Sequence, residues 1–426
     1  MIQRISVLLL LGIWSLYSQD VMTAEDAIRI GLKNNFDIQI ARNNLEVVRN
    51  NTGLGTAGFL PLLDASGNAQ YSVTDQETNS PFSFGNSSTE SYGAAINLNW
   101  TLFDGMRMFV SKSRFNELVK QGEAQTRNII EKTIVEILRA YFNLVQQEQL
   151  LEVSQNTMEI SETRLNKERV RRDVGGASST DLLNAQVSYN NDRALFLNQQ
   201  LQVSIALKEL NILLARDPNT AVKVDRQIRI PPLPYSYQEM LEMVFERNST
   251  LVAARHGLEV AQKNINIARS SYSPRLSLNG SYGYLERTVS SDNPNFPDDI
   301  QTNSTDGLIG LALNWNLFNG FRDRINIQNA RIETRNQELA LENIRNQMQG
   351  ILLELYETYQ KRLELVELEE ENVVAARQNL QLQQDRYQIG TSSSLEFRDA
   401  QINFDSAQNT LIVARFQARI TRLEIE

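Results

Sequence analysis

This chain of 426 residues contains one unit written twice, and that duplication limits its fold more than any other feature. Slid along itself by about half its length, the sequence meets itself at landmark after landmark. Leu45-Glu46-Val47 falls on Leu258-Glu259-Val260, and Pro61, Gly67 and Tyr71 fall on Pro274, Gly280 and Tyr284. Leu98-Asn99-Trp100-Thr101-Leu102-Phe103-Asp104-Gly105 falls on Leu313-Asn314-Trp315-Asn316-Leu317-Phe318-Asn319-Gly320. Tyr141 meets Tyr356, and Gly175 with Ala185-Gln186 meets Gly390 with Ala400-Gln401. The register is nearly constant, so insertions are confined to one loop region. The first repeat covers 19–215 and the second 236–426. Between them lies a linker, 216–235, in which Pro231-Pro232 and Pro234 break any helix.

Each repeat carries the same order of parts. A helix-period segment (Ala24 to Asn51; Tyr237 to Ser270) leads to a proline, then to a β-hairpin at 62–103 or 275–318. A long helix follows, at 106–174 or 321–389, and a return helix at 178–214 or 393–425.

In the first strand Leu63, Ala65, Gly67, Ala69, Tyr71 and Val73 fall on one face, against Asp64, Ser66, Asn68, Gln70, Ser72 and Thr74. Its partner sets Tyr92, Ala94, Ile96, Leu98, Trp100 and Leu102 against Gly93, Ala95, Asn97, Asn99 and Thr101. The second repeat opposes Leu276, Leu278, Tyr282 and Tyr284 to Ser277, Asn279 and Ser281. Its last strand opposes Ile309, Leu311, Leu313, Trp315 and Leu317 to Gly310, Asn314 and Asn316. Alternation over ~10 residues with aromatic ends suits a membrane barrel, though a soluble hairpin on a core alternates in the same way. Trp100, Trp315, Tyr71 and Tyr284 are the expected aromatic belt, and Asp75–Ser91 and Arg287–Asp306 the polar outer loops.

The N-terminus decides for membrane. Arg4 precedes an apolar run from Val7 to Trp14, too short to span a bilayer but suited to a secretory signal peptide at 1–18. An exported chain without a long apolar helix enters lipid only as β-structure. Four strands cannot close, and open edges in lipid leave backbone groups unsatisfied. Three copies give about twelve strands, the smallest closed assembly with a real lumen, so a homotrimer is expected.

Met106–Val174 contains no proline, and as one helix it would run ~100 Å. A seven-residue stripe follows it (Ile130, Ile137, Leu144, Leu151, Met158, Leu165), and the second repeat carries Leu352, Tyr359, Val366, Val373, Leu380 and Tyr387 in register. Such spacing means packing against neighbouring helices. The remaining positions are rich in Gln, Asn, Glu and Arg, as in a wall one helix thick with water on both sides. The fold class expected is therefore membrane α+β: a trimeric 12-stranded barrel, four strands per chain, continued by a long helical barrel with a coiled-coil tip.

Composition removes most enzyme classes. Acidic residues outnumber basic ones, 51 to 42, which argues against nucleic acid. There is no cysteine, and the single histidine, His256, makes neither a triad nor a zinc site. No nucleotide loop, metal cluster or nucleophile arrangement is present, so no catalysis, cofactor or metal is expected.

The arrangement resembles the TolC-type outer-membrane efflux channels. The resemblance spans nearly the whole mature chain and is most specific at the hairpin ends and at two turns, Asp173–Gln186 and Tyr387–Gln401. It implies a passive exit duct in the Gram-negative outer membrane, its helices in the periplasm. Such a duct serves a tripartite efflux or type I secretion system through a periplasmic adaptor and an inner-membrane pump. The turns would be the periplasmic tip, with Val174, Gly175, Gly176, Ile389, Gly390 and Thr391 receiving the adaptor. Glu396 and Asp399 would form the constriction, and Tyr387 and Asp181 would help to latch it. The family's latch arginine falls at Ser392, leaving Arg398 or Arg386 to compensate.

Residue chemistry speaks at the same turns. Gly175 and Gly390 can end helices in the left-handed conformation. Asp181 and Glu396 sit at capping-box spacing from Ser178 and Ser393, which alone accounts for both carboxylates. Three positions apart, Glu396 and Asp399 share a helix face; rings of them would favour cations and raise one another's pKa. The first repeat has Asp181 and Asn184 there, so the second is expected to carry the constriction. The competing reading is an exported, non-conducting coiled-coil protein anchored by a β-hairpin.

Overall fold

The computed structural model describes residues 21–77, 79–80, 82–176, 178–295 and 299–426. The expected signal peptide lies outside them. The order of elements is α1 (Ala24–Asn34), α2 (Phe36–Asn50), β1 (Leu62–Thr74), β2 (Ser87–Phe103), α3 (Arg107–Asp173) and α4 (Ser179–Leu213). It continues α5 (Tyr237–Arg247), α6 (Ser249–Arg269), a 3₁₀ turn (Ser270–Tyr272), β3 (Arg275–Ser291), β4 (Asp299–Asn314), α7 (Arg322–Gln388) and α8 (Ser394–Ile425). None of the described helices is long and apolar enough to cross a membrane. Contacts group the chain into a helical unit (the described residues to Ile40, Ile129–Glu242, Met348–Glu426) and a sheet unit (Ala41–Asn128, Met243–Gln347).

In the sheet unit the four strands pair antiparallel in the order β1-β2-β3-β4, so β1 and β4 are open edges. The register carries the apolar face across every strand. Leu63 lies opposite Leu98, Leu98 opposite Gly280, and Gly280 opposite Ile309. Ala65, Ile96, Tyr282 and Gly307 make the next row. Leu63, Tyr71, Tyr92, Ile96, Tyr282, Ile309 and Leu311 are all exposed on the protomer. The opposite face shows Asn97 donating to Asp64 at 3.0 Å. Two tryptophans pin the chain just before a strand: the Trp100 indole donates to Phe59 O at 2.9 Å, and that of Trp315 to Tyr272 O at 3.1 Å. The ten residues of β1 from Leu62, opposite Asn99, to Tyr71 make ~33 Å of strand, or ~25 Å along the normal at a ~40° tilt. That matches the apolar band of an outer-membrane barrel.

The strands depart from expectation at both ends. They run on into the segments read as loops, through Ser87–Ser91, Arg287–Ser291 and Asp299–Asp306. Backbone pairing continues there regardless of side-chain polarity, with Gln301 donating to Glu286 across the ladder at 2.8 Å. At the other end β4 stops at Asn314 rather than Phe318, because its partner begins at Arg275, just after Pro274. β2 lies inside the sheet and reaches Phe103 through an irregularity after Thr101. Both long helices begin after paired left-handed residues, Gly105-Met106 (φ 71° for each) and Gly320-Phe321 (φ 67° and 64°). A Cβ on Gly105 would lie 2.6 Å from Ser270 O, so glycine is required there twice over. His256 also belongs to this unit, its Nδ1 lying 2.9 Å from the Glu117 carboxylate.

The segments read as single first helices are each broken by an asparagine. The Asn35 carboxamide oxygen accepts from Asp37 N at 2.9 Å and Ile38 N at 3.2 Å, and that of Asn248 accepts from Thr250 N and Leu251 N. Each side chain caps a new helix, offering the backbone more than continuation would. In the helical unit Asn35 is buried and also donates to Leu213 O, a terminal carbonyl of α4, at 2.9 Å. Asn35→Ala removes a cap and orphans that carbonyl. It is expected to cost ~2–4 kcal/mol, read as a lowered midpoint of chemical denaturation.

The helical unit has its core where the stripe of α3 meets α1, α4 and α8. Ile137, Tyr141, Leu144, Leu210, Leu214 and Ile420 are buried there together with Ala27. All six stripe residues of α7, from Leu352 to Tyr387, are buried. Tyr141 OH donates to Met22 O at 2.9 Å and Tyr359 OH to Pro231 O at 3.0 Å, tying down the segments that precede α1 and α5. Burial pushes the Tyr141 hydroxyl up to about 12.

Candidate functional site at the helical turns

The turns α3–α4 and α7–α8 belong to the helical unit and are built alike. α3 ends with Gly175 at φ 77° and a bond from Gly176 N to Arg171 O of 2.7 Å; α7 ends with Gly390 at φ 82° and Thr391 N on Arg386 O at 2.9 Å. Both close the helix by the six-to-one bond that a left-handed glycine permits. Reciprocal capping boxes open the return helices. Ser178 Oγ accepts from Asp181 N at 3.1 Å while Ser178 N donates back to the Asp181 carboxylate; Ser393 and Glu396 do the same at 3.2 and 2.7 Å. Val174 and Ile389 stand 77% and 76% exposed at the turns, more than most large apolar residues of the chain.

The carboxylates read as a gate are on the surface of the protomer. Asp181, Glu396 and Asp399 are exposed, and the first two serve as caps. Within the chain Glu396 is held below the usual carboxylate range, chiefly by the Ser393 N–H and then by the hydroxyls of Ser392 and Ser393. That direction is opposite to the one expected from crowding with Asp399. The Ser392 hydroxyl, at the position of the missing arginine, lies 2.9 Å from both the Gln383 carboxamide oxygen and the Glu396 carboxylate, either of which can accept its proton.

Among the described residues no hydrogen bond joins Tyr387 to Asp181. The Tyr387 hydroxyl donates instead to Glu168 on α3, a fully buried carboxylate. Around it Phe397 stacks at 5.3 Å between centroids, and Lys167 Nζ lies 4.1 Å over the ring. Burial, then Glu168, push the Tyr387 hydroxyl up to about 12. Glu168 takes a second bond from Arg171 at 3.3 Å, but its Oε2 has no partner.

One turn further along α8, Arg398 grips Asp192 of α4 bidentately, Nη1 to Oδ2 at 2.6 Å and Nη2 to Oδ1 at 2.7 Å. Asp192 is buried, and Ser161 of α3 also donates to it. The fork geometry makes this the strongest polar link in the region. Gln401 completes it, accepting from Arg398 at 3.2 Å and donating to Thr157 O at 3.1 Å. Arg164, also buried, has its pKa lowered by burial and by the Arg398 charge. α3, α4 and α8 are thus pinned by ionic and polar contacts, and α7 joins through Tyr387.

Sequence reading named Tyr387 and Arg398 here but missed Arg164, Glu168 and Asp192. A signal existed: Thr133, Ala140, Gln147, Ser154, Ser161 and Glu168 form a second seven-residue row beside the apolar stripe of α3, small or polar throughout. Among the described residues no cluster of His, Cys, Asp or Glu is placed to hold a metal.

Asp405 adds a titratable element. Burial, reinforced by the Asp192 charge, raises it to about 6 against the pull of Thr157 and Arg398. A carboxyl whose folded pKa exceeds its unfolded one contributes stability fully present below ~4 and lost as pH rises through about 6. Amide exchange in α8, corrected for intrinsic rates, is expected to be slower at pH 5 than at pH 7. Asp405→Asn should abolish that contrast.

A sheet with one continuous apolar face, leading into two helices of 67 residues each, defines a β-type membrane protein with long helical extensions. The profile of the family described as "Outer membrane efflux protein" matches residues 27–216 and again 240–426. The chain belongs to this family, and its place is the outer membrane. Among its relatives, a probable efflux pump outer membrane protein, TtgC of Pseudomonas putida, is 23% identical over 405 residues, covering 91% of this chain and 78% of TtgC. The alkaline protease secretion protein AprF of Pseudomonas aeruginosa is 26% identical over 69% of this chain and 61% of AprF. Among solved structures, the CmeC outer membrane channel of Campylobacter jejuni superposes with a TM-score of 0.76 at 16% identity, covering 94% of this chain and 84% of CmeC. CusC gives 0.74 at 18% identity, over 94% and 90%.

Proposed function

We propose that three copies of this chain close a twelve-stranded barrel and continue it as a helical tube. The tube is a passive exit duct, reached by an adaptor and driven by an inner-membrane pump. One observation carries this reading: a sheet with an exposed apolar face and two unpaired edges, which lipid tolerates only when the edges meet. Further support comes from apolar residues outside the stripes, Leu183, Val187, Leu197 and Leu201 on α4 and Leu353, Leu368 and Leu382 on α7, exposed on the lone protomer and suited to neighbouring copies. The names of TtgC and AprF favour efflux or secretion as the service. Internal duplication of the unit, preceded by a signal peptide at 1–18, accounts for the doubled order of elements and the doubled family match.

At the tip, Val174, Gly175, Gly176, Ile389, Gly390 and Thr391 present the adaptor surface. Asp181, Glu396 and Asp399 line the constriction, which the second repeat chiefly carries, with two carboxylates where the first has Asp181 and Asn184, and Tyr387 holds the closed form through Glu168. Trp100, Trp315, Tyr71 and Tyr284 anchor the lipid boundary. The test is planar-bilayer recording of the purified protein, intact and as Tyr387→Phe. Discrete openings that become more frequent in the variant are expected. Silence from both, in a trimer that has inserted, would favour a non-conducting structural protein.

A further inference from the structure

The sheet unit holds a cavity of about 930 Å³ where the strands give way to helices. Three guanidinium groups line it, Arg107 and Arg114 from α3 and Arg275 from the start of β3, with Thr101, Ser273 and one carboxylate, Asp104. Arg107 and Arg114 are two turns apart on one helix face. The cavity lies on the polar side of the sheet, because Arg275 Nη2 donates to Thr101 Oγ1 at 2.8 Å and Thr101 pairs with Ser277 in the polar row.

Its charges are poorly used by the protein. Asp104 accepts from Met108 N at 3.1 Å as a helix cap. The Arg107 side chain makes no hydrogen bond or ion pair among the described residues. Arg114 spends Nη1 on Asn264 at 3.2 Å, while its buried Nε has no partner. Three arginines against one carboxylate leave a local surplus of positive charge in a chain whose net charge is −9. Planar guanidinium groups with idle donors are suited to phosphate, sulfonate or carboxylate oxygens, which they bind bidentately.

We propose that this cavity is an oxyanion site, holding phosphate-like or carboxylate groups of solutes in the water of the duct. It rests on the duct reading only in taking the polar face as the wetted one. A phospholipid headgroup offers the same chemistry, so the experiment must separate the two sources. Inorganic pyrophosphate is titrated into the detergent-solubilised full-length protein by calorimetry, and applied to single channels in a neutral-lipid bilayer. Saturable heat and reversible current block are expected, both weakened tenfold or more in Arg107→Gln/Arg275→Gln. Arg275→Lys, which keeps charge but loses the fork, should fall between. Native mass spectrometry with phosphatidylglycerol is the lipid arm.

An inserted channel that conducts but shows neither heat nor block overturns the site and leaves the duct standing. Heat without conductance supports the site and counts against the duct. Phosphatidylglycerol lost from the double variant while pyrophosphate heat is unchanged assigns the cavity to lipid and overturns the proposal. The trimer fraction of each variant is measured first by native mass spectrometry, to separate misfolding from loss of the site, and the Arg107→Gln single variant, altering an exposed side chain without partners among the described residues, supplies the same readout.

Discussion

Arg398→Met speeds amide exchange in α4 and in the start of α8 by about a hundredfold or more. The reason lies in the asymmetry of buried ion pairs. Removing one partner leaves a desolvated charge behind, at a cost of ~3–5 kcal/mol, and each 1.4 kcal/mol is about tenfold in an opening equilibrium. Asp192 is that remaining charge, with only Ser161 left to donate to it among the described residues. Arg398→Met combined with Asp192→Leu should recover most of the protection, because an apolar pair of similar volume is tolerated. If the double variant exchanges as fast as the single one, the link is not what holds these helices. In the proposed duct, loosened helices at these turns should also raise the frequency of spontaneous channel openings.

The second large effect is expected from Tyr387→Phe. The ring remains, so stacking on Phe397 and the Lys167 contact are kept. Only the hydroxyl is lost, and with it the main donor to a carboxylate that already has one unpartnered oxygen. A hydrogen bond to a charged group contributes ~1.5–3 kcal/mol, so exchange at the end of α7 should rise ten- to a hundredfold. Glu168→Gln separates charge from bonding. It keeps an acceptor for the tyrosine but removes the charge, and a milder effect than that of Tyr387→Phe is expected. Equal effects would mean that the buried charge, and not the hydroxyl bond, dominates.

The parts of the fold legible beforehand were those with a period. Two-residue alternation marked all four strands, and a proline-free run with a seven-residue stripe marked α3 and α7, because burial repeats with the geometry of the backbone. Aperiodic features were harder to see. Asn35 and Asn248 sit inside helix-period segments, and only the local bonds of their side chains end one helix and begin another. Strand ends in polar segments carry no burial signal, since water accepts either face.

At the two helical turns the glycines and capping boxes were readable because caps act within four residues. Arg398 and Asp192 lie 206 positions apart, and nothing local in either marks the other. Glu168 was hidden for another reason. A polar residue in a helix with wet faces looks solvated, and only its place in a second seven-residue row betrays a buried position.

The two open edges of the sheet bear on how such a molecule comes into being. A lone protomer in lipid carries unpaired backbone along β1 and β4, and a linear pair of protomers still carries two such edges. Each unsatisfied group there costs several kcal/mol, so partial assemblies have no stable stage within the bilayer. For the threefold barrel proposed above, biogenesis would then be all-or-none: insertion and ring closure would be one event, and yield would depend steeply on how many copies arrive together. A copy with a damaged edge is costly out of proportion to its number. Drawn into the proposed ring with two sound copies, it would deny closure to both.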